Sequence, residues 1–235
     1  MCIRDSAEIV QMAHARGAWV HVDGAFGLWA AAVPELRSQV RGIETADSWA
    51  TDAHKWLNVP YDSGLAIVAD TAPLRAAMGM KASYLQRGDD EERIGMDWAP
   101  ESSRRARVVP LYALLRALGR EGIERLVRRN CALARRMAAR LSAAPGVTIL
   151  NEVVLNQVLV QFESDETTRE VIARIQAEGT CWAGGAFWQG QQAMRIAVSN
   201  WSTTEDDIDR SAEAMLACYR VSVSSPAPSS ARAPG

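Results

Sequence analysis

Short alternations of hydrophobic and polar residues mark the first third of the chain. Residues 18–23, 47–51 and 64–68 are rich in β-branched, aromatic and small residues, and this pattern predicts three strands. Residues 6–16 and 71–80 instead carry apolar side chains at helical spacing, and we predict a helix for each. The predicted order in this part of the chain is therefore one helix, three strands and a second helix.

The rest of the chain changes from long helices to a mixed pattern. Residues 108–118 and 123–141 are predicted as amphipathic helices, separated by the glycines within 119–122. Beyond them the pattern predicts strands over 147–150, 157–162, 180–182 and 194–198, and helices over 167–178 and 204–220. Thr203 is the predicted N-cap of the last helix, with Asp206 three residues on.

Composition narrows the class of protein. The 235 residues are 48% hydrophobic and carry a formal net charge of −2, which argues against a disordered chain and against a nucleic-acid or basic membrane-surface partner. The length suits one large or two small domains. Four cysteines without metal-ligand or disulfide spacing fit a reducing cytoplasm, and no signal peptide or bilayer-spanning apolar run is visible in the sequence.

The stretch 46–70, ADSWATDAHKWLNVPYDSGLAIVAD, holds the first candidate for chemistry. Lys55 stands between His54 and Trp56, just past one predicted strand and before a loop that leads to the next. We expect its amine to face a buried interior, where desolvation would make it nucleophilic, and we expect Trp56 to be a packing residue. The alternative is an ordinary surface lysine, which is the commoner case.

A second stretch, AWVHVDGAFG at 18–27, favours the functional interpretation of Lys55. Asp23 ends the predicted strand, and the small residues after it let a flat ring lie close to the backbone. A lysine and a carboxylate at the ends of two strands fit pyridoxal phosphate (PLP): the lysine forms the Schiff base and the carboxylate pairs with the protonated pyridine nitrogen. His21 alternates with Asp23 along the strand, and we interpret it as a packed histidine.

Together, HVDGAFG and ADSWATDAHKWLNVPYDSG resemble the PLP-dependent group II decarboxylases of fold type I, the aspartate-aminotransferase fold. This family includes the aromatic amino acid, glutamate and diaminobutyrate decarboxylases, and the resemblance extends to about Arg220. It implies an α/β fold, made of the C-terminal part of the large PLP-binding domain and a small C-terminal α+β domain. It also implies decarboxylation of an amino acid, with Lys55 and Asp23 in the cofactor roles given above.

The resemblance suggests roles for further residues near the lysine. It places His54, a catalytic candidate, near the cofactor phosphate or the Schiff base. It makes Ala25 the small residue against the cofactor ring, with Gly24 where relatives often have alanine. Asp52 matches a position where some relatives have asparagine; we count it among the cofactor-binding candidates and leave its role open, because an acid near a phosphate needs a donor or a cation.

Arg195 is the candidate for binding the substrate. It stands in AMRIAVSNW among apolar residues, where a charge needs an anionic partner, and its guanidinium suits a carboxylate. The resemblance favours the carboxylate of the substrate, because glutamate decarboxylases have an arginine in this context. An internal ion pair with an Asp or Glu is the equal alternative.

The resemblance also predicts the domain limits. Residues 1–5 do not look like a natural domain start, and relatives carry a long preceding segment with a phosphate-binding loop and a ring-stacking residue, so we expect a C-terminal fragment. We assign 6–118 to the large domain and 119–220 to the small domain. The remaining 221–235 is rich in Ser, Pro and Ala, and we predict a disordered tail.

Residues 81–100 form a polar stretch in which the resemblance places the mobile active-site loop. Decarboxylases of the aromatic type carry a proton-donating tyrosine there, whereas this chain has Gly95 near that position and no tyrosine between Tyr84 and Tyr112. Transamination and aldehyde-forming deamination therefore stay open, as does a non-catalytic remnant that serves in folding or dimerisation. The family's active site lies at a dimer interface, which implies a homodimer, and the substrate amino acid stays unassigned.

Overall fold

In the computed structural model, which describes residues 6–79 and 94–224, the first strands of the chain form a three-stranded sheet in the order β1-β2-β3. The strands are β1 (His21–Asp23), β2 (Ser48–Asp52) and β3 (Gly64–Val68). β1 runs parallel to β2, with Asp23 opposite Ala50, whereas β3 runs antiparallel to β2. All three predicted strands are present, although β1 is shorter than the predicted 18–23.

The connection from β1 to β2 consists mainly of short 3-10 helices, which the sequence pattern did not predict. They cover Gly27–Ala32, Pro34–Val40 and Ile43–Thr45. The last of them is fixed to β2, because the indole N–H of Trp49 donates to the Ile43 carbonyl at 2.7 Å. This connection returns the chain to the start of β2, so that the carboxyl ends of β1 and β2 lie at the same edge of the sheet.

Two α-helices belong to this part of the chain. They are α1 (Ser6–His14), which precedes β1, and α2 (Thr71–Met78), which follows β3. The carboxylate of Asp70 caps α2 by accepting a hydrogen bond from the Ala72 N–H at 2.9 Å. Pro73 lies in the first turn of α2, where its missing N–H costs nothing.

The long segment α3 (Val108–Ser142) contains two helical stretches that meet at Gly119. Gly119 has φ 59° and ψ −173°, a conformation that glycine adopts readily, and it lies within the predicted break at 119–122. The chain divides into two compact units after Glu124. The domain limit predicted between 118 and 119 is slightly earlier, at the Gly119 break.

The second unit contains an antiparallel sheet in the order β4-β5-β7-β6 and two helices. Its elements are β4 (Val147–Ile149), β5 (Gln157–Phe162), α4 (Asp165–Glu178), β6 (Gly184–Trp188), β7 (Gln191–Ala197) and α5 (Glu205–Ser224). Alternate side chains of β5, namely Val158, Val160 and Phe162, are fully buried. They form one core with residues of α3, α4, α5 and β7.

The hairpin of β6 and β7 corrects one predicted element. The strand predicted over 180–182 is wrong, because the strand at this place in the sheet is β6, which begins at Gly184. Gln189 and Gly190, with φ of 47° and 83°, form the two-residue turn between β6 and β7. A turn of this kind sets the register of its hairpin, so pairing with β7 overrides the low strand propensity of glycine.

The N-terminus of α5 corrects the predicted cap. The Asp207 N–H donates to Thr204 Oγ1 at 3.2 Å, and the Thr204 N–H donates to Asp207 Oδ2 at 2.9 Å. The N-cap is therefore Thr204, one residue later than the predicted Thr203, and its reciprocal partner is Asp207 instead of Asp206.

The C-terminus of α5 also lies beyond its predicted end at Arg220. Ser222 is buried and extends the buried face formed by Cys218 and Tyr219, so the helix continues to Ser224. The remainder of the predicted tail, 225–235, lies outside the described residues. So do the predicted foreign start at 1–5 and most of the predicted active-site loop, of which Gly95–Trp98 is described and forms a 3-10 helix.

Candidate active site

Lys55 and Asp23 lie at the same edge of the first sheet. Asp23 is the last residue of β1, and Lys55 follows the end of β2 at Asp52 by three residues. Because the two strands are parallel, their carboxyl ends meet at one edge, which is where open α/β sheets bind ligands. The structure therefore places the two residues that the sequence proposed for the cofactor at one edge of the sheet.

The amine of Lys55 has two neighbours in the structure. Its Nζ lies 2.8 Å from Asp52 Oδ2 and 5.6 Å from the centroid of the Phe26 ring. The lysine side chain is 35% exposed. The expectation of a desolvated amine in a buried interior is therefore wrong. The amine pairs with a carboxylate and lies near an aromatic ring, but its side chain stays partly exposed to water.

Asp52, whose role the sequence left open, has an observed partner. Its carboxylate forms the ion pair with Lys55, and the same oxygen, Oδ2, lies 3.9 Å from Nε2 of His54. The turn after β2 explains this arrangement, because the Lys55 N–H donates to the Asp52 carbonyl at 3.3 Å and folds the lysine back over the strand end. Asp52 thus acts as the internal counter-ion of Lys55.

His54 is held mainly by Ser63, the residue just before β3. Its Nδ1 lies 2.9 Å from the Ser63 carbonyl oxygen and 3.1 Å from the Ser63 backbone nitrogen, and the His54 N–H donates to the same carbonyl at 3.2 Å. The Tyr61 ring packs on the imidazole, with 4.2 Å between centroids. Only 15% of the His54 side chain is exposed.

Trp56 has the packing role that the sequence predicted. Its side chain is fully buried, and its ring centroid lies 6.1 Å from that of Phe26. The indole N–H has no hydrogen-bond partner among the described residues. Asn58, with φ 56°, then closes the turn by donating to the carbonyls of Lys55 and Trp56 at 2.9 and 3.1 Å.

The residues after Asp23 continue beside β2 in close contact. The Gly24 N–H donates to the Ala50 carbonyl at 2.8 Å, and the Ala25 N–H donates to Asp23 Oδ1 at 3.2 Å. A Cβ on Gly24 would lie 2.8 Å from Leu28 Cβ and 3.2 Å from the Ala50 oxygen. Glycine at this position therefore fits tightly, and only a small residue can follow the aspartate.

These residues fit the chemistry that PLP requires. The sheet edge presents one primary amine and one exposed carboxylate, Lys55 and Asp23, and the Asp23 carboxylate keeps acceptor capacity beyond its bond to the Ala25 N–H. PLP needs an amine for its carbonyl carbon and an anionic partner for its ring nitrogen. The tight backbone at Gly24 and Ala25 leaves the strand end free of bulky side chains.

Arg195 lies in the second unit, and its environment differs from the expected one. It is on the exposed side of β7, whereas its neighbours Met194 and Ile196 are buried. Within the described residues it forms no ion pair with an Asp or Glu. The premise of a buried charge is therefore wrong, because the alternation of the strand turns this side chain outward. Its role with the substrate stays a prediction.

Three residues of this site were missed by sequence reasoning. Phe26 lies against Lys55 and Trp56, whereas Tyr61 and Ser63 hold His54. Phe26 stands inside the quoted HVDGAFG stretch, so its place after Asp23 was a usable signal. Tyr61 and Ser63 stand in an irregular loop, and no periodicity indicates which loop residue turns toward the histidine.

Comparison with known families identifies the family to which the chain is similar. The model of the pyridoxal-dependent decarboxylase conserved domain matches residues 3–163, which include β1, β2 and β3. Histidine decarboxylase from Drosophila melanogaster is 30% identical over 192 residues, 81% of this chain and 23% of the relative. Phenylacetaldehyde synthase from Arabidopsis thaliana is 27% identical over 86% of this chain and 44% of the relative.

Solved structures show the same fold. The structure of Oryza sativa TDC with PLP and tryptamine matches with a TM-score of 0.86 and 22% identity, over 92% of this chain and 47% of that chain. The chain thus spans less than half the length of these relatives. The fold is that of PLP-dependent decarboxylases of fold type I, which confirms the sequence prediction. The chain belongs to the pyridoxal-dependent decarboxylase family.

Proposed function

We propose that this protein is a PLP-dependent carboxy-lyase that removes carbon dioxide from an L-amino acid. The observation that carries the proposal is the placement of Lys55 and Asp23 at one sheet edge, in a chain of the pyridoxal-dependent decarboxylase family. When bound, PLP supplies an electron sink for the electron pair that stays on the α-carbon as carbon dioxide leaves.

In this proposal Lys55 provides the amine that holds the cofactor covalently. An ammonium group is not a nucleophile, so the Nζ must first give up a proton. Asp52 Oδ2, at 2.8 Å, is within hydrogen-bond distance and is the acceptor that we assign to this proton. His54 Nε2 lies 3.9 Å from the same carboxylate oxygen, which is too far for a direct hydrogen bond, and His54 is our second catalytic candidate beside this pair.

Asp23 provides the charge that keeps the pyridine nitrogen protonated. Its carboxylate is exposed at the strand end, and the Ala25 N–H orients one of its oxygens. Ala25 and Gly24 leave the space beside the carboxylate free for a flat ring. Arg195 is our candidate for the carboxylate of the substrate, since a guanidinium binds a carboxylate with two parallel hydrogen bonds.

The assembly and location of the protein are part of the same proposal. We assign it to a homodimer, because the family resemblance of HVDGAFG and DAHKW carries with it an active site at a dimer interface. We assign it to the cytoplasm, because Cys181 and Cys218 are free thiols in the described part of the chain. Among the described residues, none of the helices has the length and hydropathy of a transmembrane span.

The test of this function is replacement of Lys55 in the protein at its full natural length. Lys55→Ala should abolish the visible absorbance of bound PLP, the borohydride-dependent attachment of PLP to the protein, and turnover. The matched control is Lys81→Ala, which removes the only other lysine of this chain and should leave the borohydride-dependent attachment of PLP unchanged. Asp23→Ala should keep PLP bound and reduce the rate by about 10³-fold or more, because several kcal/mol of transition-state stabilisation are lost.

Peptide mapping decides whether the assignment of Lys55 is correct. After borohydride reduction of the unmodified protein, mass spectrometry should find PLP on the peptide that contains Lys55. A PLP adduct on another lysine, or a Lys55→Ala variant that still forms one, contradicts the assignment. Near-normal turnover of Asp23→Ala would show that this aspartate is structural.

Aldehyde formation is a second candidate function. It is favoured by the absence of a tyrosine from the part of the sequence where the family resemblance places the proton donor. There is no tyrosine between Tyr84 and Tyr112, and one of the relatives is a phenylacetaldehyde synthase. Conversion of an amino acid to an aldehyde, carbon dioxide and ammonia is a two-electron oxidation, whereas simple decarboxylation to an amine is not. If the amount of amine formed equals the amount of carbon dioxide released, and no oxygen is consumed, the protein is a lyase. If an aldehyde forms and oxygen is consumed, the alternative is correct.

A further inference from the structure

The Tyr61–Ser63 segment determines the position of the His54 ring. Ser63 offers both a carbonyl oxygen at 2.9 Å and a backbone N–H at 3.1 Å to Nδ1, so this nitrogen has a partner whether it carries a proton or not. Tyr61 covers the ring face. The orientation of His54 beside Asp52 and Lys55 therefore depends on where this loop segment lies.

Two arginines from a distant part of the chain bind the same loop segment. The Arg105 guanidinium donates from Nη2 to the Tyr61 carbonyl at 2.8 Å, and Arg107 donates from Nε to Asp62 Oδ1 at 2.8 Å. The residues that these two bonds join are 44 and 45 positions apart in the sequence. Each of the two consecutive residues before Ser63 is thus tied to the stretch that precedes α3.

The charge distribution agrees with this arrangement. The hydrogen bond from Arg107 holds the pKa of Asp62 below its ordinary value, and the bond to Asp62 raises the pKa of Arg107 in turn. Both groups therefore stay ionised through the neutral range. Arg104, by contrast, is exposed and forms no hydrogen bond or ion pair with the loop segment among the described residues.

We propose that Arg105 and Arg107 are positioning residues, which fix the Tyr61–Ser63 segment and through it the His54 ring next to Asp52 and Lys55. We call these two side chains the arginine clamp. The inference rests on the proposed function, because it concerns the same site. It extends that function to residues that lie outside HVDGAFG and DAHKW.

The exposure of the clamp argues for positioning over stability. The side chains of Arg107 and Asp62 are 33% and 63% exposed, and ion pairs at such surfaces contribute little to the free energy of unfolding. A small misplacement of a catalytic group, however, has a large effect on rate. We therefore expect clamp variants to fold normally and to lose catalytic efficiency.

The first readout is chemical labelling of His54 in the protein at its full natural length. Diethyl pyrocarbonate modifies accessible imidazoles, and His14 and His21 serve as internal references in the same molecule. Arg107→Gln, Asp62→Asn and Arg105→Gln should each raise the labelling rate of His54 by about two- to fivefold relative to these references, the factor that corresponds to loss of an exposed ion pair. Arg104→Gln is the matched control and should leave the ratio unchanged.

The second readout is turnover with added PLP. Arg107→Gln should lower kcat by about tenfold while KM changes little, since the affected group does not bind substrate. Arg107→Lys keeps the charge and should restore part of kcat. The double variant Arg107→Gln/Asp62→Asn should be no worse than either single variant, because both remove the same contact.

The labelling result decides the proposal independently of catalysis. It needs no cofactor and no turnover, so it reports on the clamp even if the proposed function fails. His54 labelling that rises no more in Arg107→Gln and Asp62→Asn than in Arg104→Gln would overturn the clamp. Raised labelling with kcat unchanged would overturn the positioning role.

Discussion

Gly24 shows how a single residue determines the local packing of the backbone at this site. The family resemblance implies alanine at this position in many relatives, yet here the backbone of Gly24 lies against Leu28 and the Ala50 carbonyl. A glycine fits here because a side chain would clash with Leu28 in the 3-10 helix that follows. Without a side chain at this position, the end of β1 can remain beside β2. The orientation of Asp23 depends on this close approach, because Asp23 is the preceding residue.

Gly24→Ala tests this local fit. The new methyl group would meet Leu28 Cβ at 2.8 Å, and both atoms belong to the rigid base of a side chain, so the backbone must move. We expect a loss of about 1–3 kcal/mol in the free energy of unfolding, as for other overpacked positions. Gly95→Ala is the control, because its methyl group would meet nothing within 4 Å. Urea unfolding measures both; equal stability of the two variants would contradict the fit described here.

At the scale of elements, sequence patterns predicted most of the strands, but they misplaced the strand at 180–182 and missed the connections. β3 and β5 have the predicted bounds, because each is a run of strand-forming residues between turn residues. The 3-10 helices at 27–45 were missed, since they follow neither a period of two nor a regular period of 3.6. The cap of α5 was misplaced by one residue, because two threonines stand side by side, as do two aspartates, and the sequence pattern fits either pair.

The two adjacent threonines give a matched test of the cap. Thr204→Ala removes the hydroxyl that accepts from the Asp207 N–H and should lower the free energy of unfolding by about 1 kcal/mol. Thr203→Ala, at the predicted position, should have an effect close to zero. Urea unfolding followed by circular dichroism compares the two variants; a larger effect at Thr203 would contradict the observed cap.

The cap should also weaken in acid. Hydrogen bonds from Thr204 hold the pKa of Asp207 below its ordinary value of 3.8. A lowered pKa in the folded state means that the carboxylate stabilises the helix above the unfolded-state pKa, and that this stabilisation disappears as the pH falls through the folded-state value. The difference between Thr204→Ala and the unmodified protein should therefore be smaller at pH values below about 4 than at neutral pH.

The candidate site was predictable where it depends on strand ends and unpredictable where it depends on distant contacts. Lys55 and Asp23 follow strands, and strand ends can be read from the sequence. The partner of Lys55, the carboxylate of Asp52, depends on how the turn after β2 folds back. The Arg105 and Arg107 contacts join residues more than forty positions apart, and a single sequence carries no signal for such pairs.

On the scale of the whole molecule, the surface of the first unit has features that other protein segments usually cover. β1 pairs with β2 on one side only, and within the described residues its other edge has no strand partner. A cavity of about 740 Å³ opens on the face of the sheet that carries Trp49 and Ile67, and its lining is mostly apolar. Parallel strands are ordinarily covered on both faces, and open edges pair with other chains.

We therefore expect the 235-residue chain expressed alone to be poorly soluble, to bind PLP weakly and to lack decarboxylase activity. The described residues at the candidate site include an amine and a carboxylate, but they include no glycine-rich loop whose N–H groups converge on the cofactor phosphate, which carries most of its charge. Size-exclusion chromatography and PLP titration test this, with the protein at its full natural length as the control. A soluble dimer of this chain that turns over an amino acid with added PLP would contradict the expectation.

The burial of Trp56 has a consequence for the entropy of cofactor capture. Among the described residues the buried indole N–H has no hydrogen-bond partner, and an unpaired buried N–H costs about 1–3 kcal/mol. The fully buried ring of Trp56 immobilises the backbone on the C-terminal side of Lys55. The imidazole of His54 immobilises the backbone on the N-terminal side. The lysine therefore retains only the rotations of its own side chain. Most of the conformational entropy that a positioned amine must lose is lost during folding, so it does not reduce the affinity for the cofactor.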